Sequence, residues 1–182
     1  MRKLLLILSI LGFVWAVAPV AGQDGSEKQT KKAKKEIPAV TKALKKTKLF
    51  NGRPNAKAKY YIYLQSAGWC GFCRKEMPDI VKGYKEMKKN GVEIIFCSFD
   101  KTQDAAKEFI REFGIRFPAM METDDRKGPA LPGYERGPGI PWAVIVDAQG
   151  HVLRTGQGAI VNQWSKIVSE AEKKAAQVTE EE

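Results

Sequence analysis

The sequence is poor in the residues that build cross-linked or metal-rich scaffolds. Its 182 residues include only three cysteines and one histidine. These counts exclude a disulfide-dense scaffold and a histidine-rich metal site. The sixteen glycines follow no repeat, which excludes a collagen-like chain. With 43% hydrophobic and 29% charged residues, the chain can instead bury the core of one ordinary globular domain.

The longest apolar run is too short to cross a membrane. It extends from Leu4 to Val17, after two basic residues and before a stretch of small ones. This is shorter than the roughly 20 residues that a transmembrane helix needs. The order of charge, apolar run and small residues predicts a signal peptide over residues 1–22, cleaved after Gly22, with an uncleaved anchor as the alternative. We therefore expect export to a periplasm or another extracytoplasmic compartment, where disulfides persist.

Positive charge is concentrated before residue 49. The formal net charge of the chain is +10, and nine lysines lie between Lys28 and Lys48. We expect a Lys-rich arm over residues 23–48 that is a loose, solvated linker and ends in one weak helix. Its apolar residues at helical spacing are Ile37, Val40 and Leu44. A weak contact of the arm with an anionic membrane is the alternative, and no nucleic acid partner is expected because no aromatic residues interleave the lysines.

The remaining chain alternates between strands and helices. The predicted strands are Tyr60–Gln65, Val92–Phe99, Phe117–Met121, Trp142–Val146 and His151–Arg154. Three helices are predicted. The first begins at the first two cysteines of the sequence, ends at Gly91 and has the apolar positions Cys73, Met77, Ile80, Val81, Tyr84 and Met87. The second covers Thr102–Phe113, with the apolar stripe Ala105, Ala106, Phe109, Ile110 and Phe113, and the third begins at Asn162. This order predicts an α/β domain over residues 49–177 with a parallel sheet and a closing antiparallel hairpin, followed by a frayed acidic tail over 178–182.

Two cysteines lie where the first predicted strand gives way to a helix. Cys70 and Cys73 belong to the sequence Trp69-Cys70-Gly71-Phe72-Cys73. Free amide N–H groups and the helix dipole favour an anion at this position, which should lower the pKa of the Cys70 thiol. Cys73 lies one turn along, where it can form a disulfide with Cys70 or attack a mixed disulfide held on Cys70. The spacing therefore predicts a redox-active pair.

Two structural interpretations compete with this redox role. A zinc site would need two more ligands, and the remaining candidates, Cys97 and His151, come from distant elements. A static disulfide is disfavoured because closing so short a loop restricts the unfolded chain little.

Since Cys97 lies within a predicted central strand, we expect a buried, inert thiol there, with a regulatory thiol as the alternative. We expect His151 on the surface, and no metal or cofactor.

The segment around the cysteine pair resembles the active-site segment of thioredoxin-fold proteins. It runs from Ser66 to Pro78, and its proline follows the second cysteine by five residues. Gly139-Ile140-Pro141 is similar to the family's cis-proline loop, and Gly158-Ala159 to a glycine near the same surface. The resemblance covers residues 59–171. It implies a thioredoxin fold, with a central mixed sheet flanked by helices, a closing antiparallel hairpin and a C-terminal helix.

The resemblance also implies roles for individual residues. Pro141 would follow a cis peptide bond, and the backbone of Ile140 would pair with a bound substrate strand. Two further candidates come from their places near the cysteine pair. Glu76 lies three residues after Cys73 and borders the same face, where it would relay a proton to or from Cys73, with a solvated carboxylate near a helix N-terminus as the alternative. Trp69, next to Cys70, would cover the disulfide and form part of the docking surface, and a core-packing side chain is its alternative.

The chain departs from thioredoxin itself at Leu64, where thioredoxin carries a buried aspartate. This departure makes Glu76 the better candidate for a proton relay. The Cys-x-x-Cys-x-x-Glu-x-Pro pattern and the predicted signal peptide are similar to the extracytoplasmic TlpA/ResA-type reductants. The end of the second strand and the loop before Ile140 look more like tryparedoxin and nucleoredoxin. The resemblance implies an exported oxidoreductase that reduces protein disulfides by dithiol exchange through Cys70 and Cys73.

The direction of electron flow stays open from the sequence. Ile140 before Pro141 resembles the reductant branch, whereas Gly71-Phe72 is similar to the pair in some disulfide isomerases, so an isomerase or oxidase is the alternative. An alternative of a different class is a thioredoxin-fold metal-binding or scaffold protein. A peroxidase is disfavoured, unless Cys97 is exposed and reacts with peroxide. We expect a monomer that acts on protein dithiols or disulfides and receives electrons from a separate membrane or periplasmic donor.

Overall fold

The structure is a computed structural model that describes residues 36–122 and 129–180, with only the backbone for residues 179 and 180. The predicted signal peptide and the first half of the Lys-rich arm, residues 23–35, lie outside the described residues. None of the helices described is both long and apolar enough to cross a membrane. The helices are α1 (Ala39–Leu44), α2 (Gly71–Lys89), α3 (Gln103–Phe113) and α4 (Trp164–Glu180), with a 3₁₀ helix over Gly158–Gln163. The strands are β1 (Tyr60–Ser66), β2 (Val92–Ser98), β3 (Ala119–Met121), β4 (Trp142–Asp147) and β5 (Val152–Gln157).

The five strands form one mixed sheet in the order β3-β2-β1-β4-β5. β1 pairs in parallel with β2 and antiparallel with β4, so that Leu64 lies opposite Phe96 on one side and Ala143 on the other. β2 pairs in parallel with β3, and β4 pairs antiparallel with β5. β1 and β2 are rich in aromatic and β-branched residues and are buried along almost their whole length, as expected for central strands covered on both faces. The predicted mixed sheet with a closing antiparallel hairpin is confirmed.

Helix α2 carries the cysteine pair at the carboxyl end of β1. Its buried residues follow the predicted 3.6-residue period and are Cys73, Met77, Ile80, Tyr84 and Met87. The helix ends at Lys89, and Gly91 then adopts a φ of 76°, in the left-handed region that glycine tolerates without strain. α2 is therefore fixed along one face, and its first turn is held at the edge of the sheet where β1 ends.

The larger core lies on the face of the sheet that α2, α3 and α4 cover. Apolar side chains of these helices pack there on β1, β2 and β4. Phe109 of α3 packs against Phe96 of β2 with ring centroids 6.0 Å apart. The predicted stripe of α3 is wrong at Ala105, which is exposed, because the helical period turns Ala106, Phe109 and Ile110 toward the sheet instead.

Helix α1 and the loop before β4 cover the opposite face. Val40 and Leu44 of α1 are buried in a second apolar cluster, whose other buried members are Ala58, Tyr61, Tyr63, Ile95, Cys97, Met120, Leu131, Val144 and Val146. Thr41 Oγ1 forms a 2.8 Å hydrogen bond with the Tyr61 hydroxyl. The predicted helix is confirmed. The prediction of a loose arm up to Lys48 is wrong for this helix, because its apolar side chains are anchored in the core.

The C-terminal elements extend further than the sequence pattern indicated. β5 continues to Gln157, which pairs with Trp142, instead of ending at Arg154. The 3₁₀ helix precedes α4, so the final α-helix begins at Trp164 and not at Asn162. α4 continues through Glu180, so the predicted frayed tail does not begin at Val178. Lysine, alanine and glutamate in this stretch favour the helical state.

Candidate redox site

Cys70 and Cys73 form a disulfide at the start of α2. Their Cα atoms are 5.2 Å apart, within the range usual for bridged cysteines. Cys70 is the N-cap residue of the helix, and its Sγ accepts a hydrogen bond from the Cys73 backbone N–H at 3.2 Å. That N–H belongs to the first helical turn, whose donors have no partner within the helix. The same donor can therefore stabilise a Cys70 thiolate when the disulfide is reduced.

The two sulfur positions differ in their access to solvent. Cys70 is 7% exposed and Cys73 is 1% exposed. Cys70 is therefore the more exposed residue of the pair. Two large apolar side chains stand out beside the pair, since Trp69 is 65% exposed and Phe72 is 76% exposed. Exposed aromatic side chains at such a position are suited to contact with a partner.

The loop before β4 lies against Cys70. The peptide bond between Ile140 and Pro141 is cis, as the resemblance implies. The Ile140 carbonyl oxygen is 3.7 Å from Cys70 Sγ. The Pro141 carbonyl accepts a 3.1 Å hydrogen bond from Gly158 N–H, which ties the loop to the 3₁₀ helix. The structure thus brings together the three sequence features on which the resemblance rests.

Glu76 reaches the gap between this loop and the 3₁₀ helix. Its Oε2 atom is buried and has no hydrogen-bond partner among the described residues. A Cβ atom at Gly158 would overlap this oxygen and would lie 2.8 Å from Pro141 Cβ, so a larger residue would displace the carboxylate. Burial raises the pKa of Glu76 above its ordinary value. A half-buried carboxylate with a free oxygen fits a proton acceptor better than a solvated residue, although its contact with Cys73 stays a prediction.

Two grooves are lined in part by the neighbours of the cysteines in sequence, Trp69 and Phe72. One has a volume of about 380 Å³ and is lined by Phe72, Glu76, Pro138, Gly139, Ile140, Pro141, Trp142 and Gln157. The other has a volume of about 760 Å³ and lies between the Trp69 side chain and α3. The indole N–H of Trp69 donates a 3.2 Å hydrogen bond to the Phe99 carbonyl. The alternative of a core-packing Trp69 is wrong because most of the ring is exposed, while its role as a cover for the disulfide stays a prediction.

Sequence reasoning missed the polar contacts that hold the turn before Cys70. Asp100 Oδ1 accepts a 3.0 Å hydrogen bond from Gly68 N–H, and Arg74 Nη1 donates a 3.1 Å hydrogen bond to the Gly68 carbonyl. The sequence pattern does indicate a position for Asp100. Asp100 comes shortly after strand β2, just as Cys70 comes shortly after strand β1. The carboxyl ends of neighbouring parallel strands meet at one edge of the sheet, which is where such sites form.

Polar side chains of β1 hold the loop that precedes the cis peptide. Gln65 Nε2 donates to the Glu135 carbonyl at 2.6 Å, and Gln65 Oε1 accepts from Gly137 N–H at 2.9 Å. The Tyr63 hydroxyl donates to the Pro132 carbonyl at 2.9 Å. Periodicity could not reveal these roles, because a buried glutamine in a strand gives no distinct pattern in a single sequence.

The remaining residues singled out from the sequence lie apart from the pair. Leu64 is fully buried, so no carboxylate occupies the strand position where thioredoxin has one. Cys97 is fully buried, and this burial raises the pKa of its thiol, in agreement with an inert position. His151 is exposed, with Nδ1 2.7 Å from Asp147 Oδ2. In the two described ranges, no group of three or more His, Cys, Asp or Glu side chains could hold a metal ion.

Comparison of the sequence with curated proteins gives relatives that are thiol-disulfide oxidoreductases. The chain is 29% identical over 92 residues to the thiol-disulfide oxidoreductase ResA of Bacillus subtilis, a match that covers 50% of this chain and 49% of the relative. It is 37% identical over 86 residues to the ResA of Bacillus thuringiensis strain Al Hakam, with 47% of each chain covered. The chain thus spans about half the length of the curated relatives it matches.

Solved structures with the same fold cover more of the chain. A thiol:disulfide interchange protein of the thioredoxin family from Chlorobium tepidum is 28% identical, with a TM-score of 0.52, and the match covers 69% of this chain and 94% of the other. Tryparedoxin II from C. fasciculata is 25% identical with a TM-score of 0.52, covering 68% and 89%. These neighbours confirm the predicted thioredoxin fold. The pattern of the AhpC/TSA family matches residues 55–155, more than half of the chain, and this protein therefore belongs to the AhpC/TSA family.

Proposed function

We propose that the protein is a thiol-disulfide oxidoreductase that reduces protein disulfides through Cys70 and Cys73. The observation that carries this proposal is the placement of Cys70. Its sulfur caps the N-terminus of α2, is bonded to Cys73 and lies 3.7 Å from the Ile140 carbonyl at the edge of a groove. A helix N-terminus stabilises a thiolate, so this placement suits a reactive sulfur.

The reaction begins with the enzyme in its dithiol form. The Cys70 thiolate attacks one sulfur of the substrate disulfide, forms a mixed disulfide and releases the other substrate sulfur, which takes up a proton. Cys73 then loses its proton and attacks Cys70 Sγ. The Cys70–Cys73 disulfide forms, and the second substrate sulfur leaves and is protonated. The substrate gains two electrons and two protons. The enzyme loses two electrons and the Cys73 proton, and the other proton comes from solvent, which received it when Cys70 ionised.

Glu76 is the candidate acceptor for the Cys73 proton in the second step. Its buried oxygen has no partner among the described residues, and its raised pKa brings it closer to neutral pH. A base is most effective when its pKa lies near the working pH. Because Cys73 and Glu76 are three residues apart in α2, the carboxylate is on the same side of the helix as Cys73.

The surface around the disulfide is the candidate substrate site. Trp69 and Phe72 would supply apolar contact, and Ile140 and Pro141 border the narrower groove. An extended substrate segment could pair with the Ile140 backbone and place its disulfide over Cys70. Such strand addition uses main-chain hydrogen bonds, so it suits many protein substrates.

The cellular setting completes the proposal. We propose a signal peptide over residues 1–22, a Lys-rich arm that ends at α1 and makes at most weak contact with anionic membranes, and a redox domain over the following residues. The protein would work outside the cytoplasm as a monomer, and a separate membrane or periplasmic donor would reduce its disulfide. N-terminal sequencing of the exported protein tests the cleavage after Gly22, and an unprocessed N-terminus would contradict it.

A redox titration tests the activity. The protein with Cys97→Ala is equilibrated in dithiol buffers of graded potential, and Trp69 fluorescence is followed together with thiol alkylation. A midpoint near about −270 mV supports a reductant, whereas a midpoint of about −120 to −180 mV favours an oxidase or isomerase. If Cys70 and Cys73 never form a reversible disulfide, the oxidoreductase proposal fails in favour of a metal-binding or scaffold role.

A further inference from the structure

We propose that Asp100 and Arg74 are positioning residues that hold the turn carrying Cys70. This inference rests on the proposed function, in which Cys70 is the attacking sulfur. The turn is formed by the residues between the end of β1 and the start of α2, and Gly68 lies at its centre. Neither Asp100 nor Arg74 is part of the cysteine pair, and both act on it through the backbone of Gly68.

Both polar groups of the Gly68 backbone are bound by a charged side chain. Its N–H donates to the Asp100 carboxylate, at 3.0 Å to Oδ1 and 3.3 Å to Oδ2. Its carbonyl accepts the 3.1 Å hydrogen bond from Arg74 Nη1. Hydrogen bonds that involve a charged group are about twice as strong as neutral ones. The turn is therefore held from both sides, by the end of β2 and by the first turn of α2.

Asp100 is itself fixed in place. It is 7% exposed, and Ser98 Oγ donates a 2.9 Å hydrogen bond to its Oδ2. The backbone N–H of Asp100 donates in turn to Ser98 Oγ at 3.1 Å. A buried carboxylate with three such contacts has one orientation available to it, so it acts as a rigid acceptor for Gly68.

Arg74 is held by helix α3. Its guanidinium carbon lies 5.3 Å from the ring centroid of Phe113 and 5.9 Å from that of Phe109, and the guanidinium is ion-paired with Glu112. A planar guanidinium can stack on aromatic rings and donate from its edge at the same time. The contacts to α3 leave Nη1 directed at the Gly68 carbonyl.

The turn itself has little room to move. A Cβ atom at Gly68 would lie 3.1 Å from Phe109 Cβ, so the backbone passes close to α3. Cys70 N–H donates to the Ala67 carbonyl at 3.2 Å, and the Trp69 indole donates to the Phe99 carbonyl. Since the same turn sets the position of the Cys70 sulfur relative to the groove, loosening it should slow attack on a substrate.

The test compares Asp100→Ala with Asp100→Asn in the full chain. The rate constant for attack of the reduced enzyme on the small disulfide 5,5′-dithiobis(2-nitrobenzoate) is measured in single turnover, with the pH profile of Cys70 alkylation. We expect Asp100→Ala to slow attack by about 10-fold to 100-fold. Asp100→Asn should stay within about 3-fold of the wild type, because its amide oxygen can accept from Gly68 and its NH₂ group can donate to Ser98.

Two further variants complete the test. Asp104→Ala removes an exposed carboxylate of α3, with 92% of its side chain accessible, and serves as the matched control with an unchanged rate. Arg74→Met keeps the apolar stem but loses the donor, and should slow attack by about 3-fold to 10-fold. Because Asp100 and Arg74 act on the same Gly68 backbone, the double variant should lose less than the product of the single losses.

Three results would overturn the proposal. A folded Asp100→Ala with wild-type kinetics would show that the contact does not position Cys70. An Asp100→Asn as slow as Asp100→Ala would assign the effect to charge. Fully multiplicative losses in the double variant would mean that the residues act separately. If a urea titration of Asp100→Ala shows no folding transition, the rate of attack by Arg74→Met decides the question, and a wild-type rate for that variant would overturn the proposal. Failure of the proposed oxidoreductase function can be told apart from failure of this positioning proposal, because the wild type itself would then form no reversible Cys70–Cys73 disulfide.

Discussion

A cysteine lies at the N-cap of α2 and another lies near the end of β2, in opposite surroundings. Cys70 caps a helix, and its sulfur accepts a hydrogen bond from a backbone N–H and lies 3.7 Å from the carbonyl of Ile140, a residue that lines a groove. Cys97 lies in a fully buried strand, within the cluster of apolar side chains under α1, where burial raises the pKa of its thiol. Position in the fold therefore decides reactivity, because a thiolate needs nearby donors and access whereas a buried strand offers neither.

The two regions also differ in how their carboxylates are satisfied. Glu93 of β2 is fully buried, and its oxygens accept from the Tyr84 hydroxyl at 2.5 Å and from Asn55 N–H at 2.7 Å. Glu76 of α2 has a buried oxygen without a partner among the described residues. A satisfied carboxylate stabilises the fold, whereas an unsatisfied one beside a disulfide is available to take a proton.

The largest effect is expected from replacing the cysteine of one region and comparing it with the same replacement in the other. Cys70→Ser should lower protein-disulfide reduction by about 1,000-fold or more, to the background rate, because the attacking thiolate is gone. Cys97→Ser should leave the rate unchanged within about 2-fold. The measurement is thiol release from a disulfide-bonded protein substrate. An equal loss of rate in both variants would contradict the difference in reactivity between Cys70 and Cys97.

Removing the second cysteine should stop the reaction halfway. Cys73→Ala leaves Cys70 able to attack but unable to be released, so steady-state turnover should fall by about 100-fold or more while a mixed disulfide with the substrate accumulates. Mass spectrometry under non-reducing conditions would show the adduct on Cys70. An adduct on Cys97 instead, or none at all, would contradict the assignment of Cys73 as the resolving sulfur.

The carboxylates provide a sharper test of the comparison. Glu76→Gln should slow the release step by about 10-fold to 100-fold. In the wild type this step should accelerate as pH rises through the raised pKa of Glu76, because only the deprotonated carboxylate can accept the proton. Glu76→Gln should lose that limb of the pH profile. The same variant should be more stable than the wild type at neutral pH, since a partly buried carboxylate is costly to ionise.

A control for Glu76 is Asp79→Asn, which changes an exposed carboxylate one turn further along α2. It should leave both the rate and its pH dependence unchanged. A pH profile of Glu76→Gln that superimposes on that of the wild type would remove Glu76 from the mechanism and would restore the interpretation of a solvated carboxylate.

The smallest effect concerns stability at high pH. The thiol of Cys97 stays protonated in the fold above the ordinary value of 9.0, whereas in the unfolded chain it ionises near that value. The unfolded state then binds fewer protons, so the free energy of unfolding falls as pH rises past 9.0, by about 1.4 kcal/mol per pH unit from this group alone. Urea titrations at pH 8 and pH 10 should show that Cys97→Ala loses about 1 kcal/mol less than the wild type. Equal losses would place Cys97 in a solvated site.

Much of this contrast could be predicted from the sequence. The apolar period of α2 and the Cys-x-x-Cys spacing place the pair on the first turn of a helix, and the continuous apolar run of β2 predicts a buried Cys97. These signals are local and repeat along the chain, so a single sequence carries them. The resemblance added the cis-proline loop, which no periodicity indicates.

The sequence could not predict contacts between distant polar residues. The position of Asp100 after β2 marks it as a candidate for that edge of the sheet, but its partner Gly68, like the loop partners of Gln65, becomes evident only in the fold. The anchoring of α1 was hidden for another reason. The nine lysines of the arm suggested a solvated linker, although Val40 and Leu44 are sufficient to anchor one short helix in the core.

Alkylation of the three cysteines in the reduced protein is the decisive test of whether position in the fold sets their reactivity. Rates of reaction with iodoacetamide are measured by mass spectrometry from pH 4 to pH 10. We expect Cys70 to react fastest and to react as a thiolate already below neutral pH, Cys73 to follow slowly, and Cys97 to be modified only after unfolding. Reaction of Cys97 in the folded protein at a rate comparable to that of Cys70 would contradict this expectation.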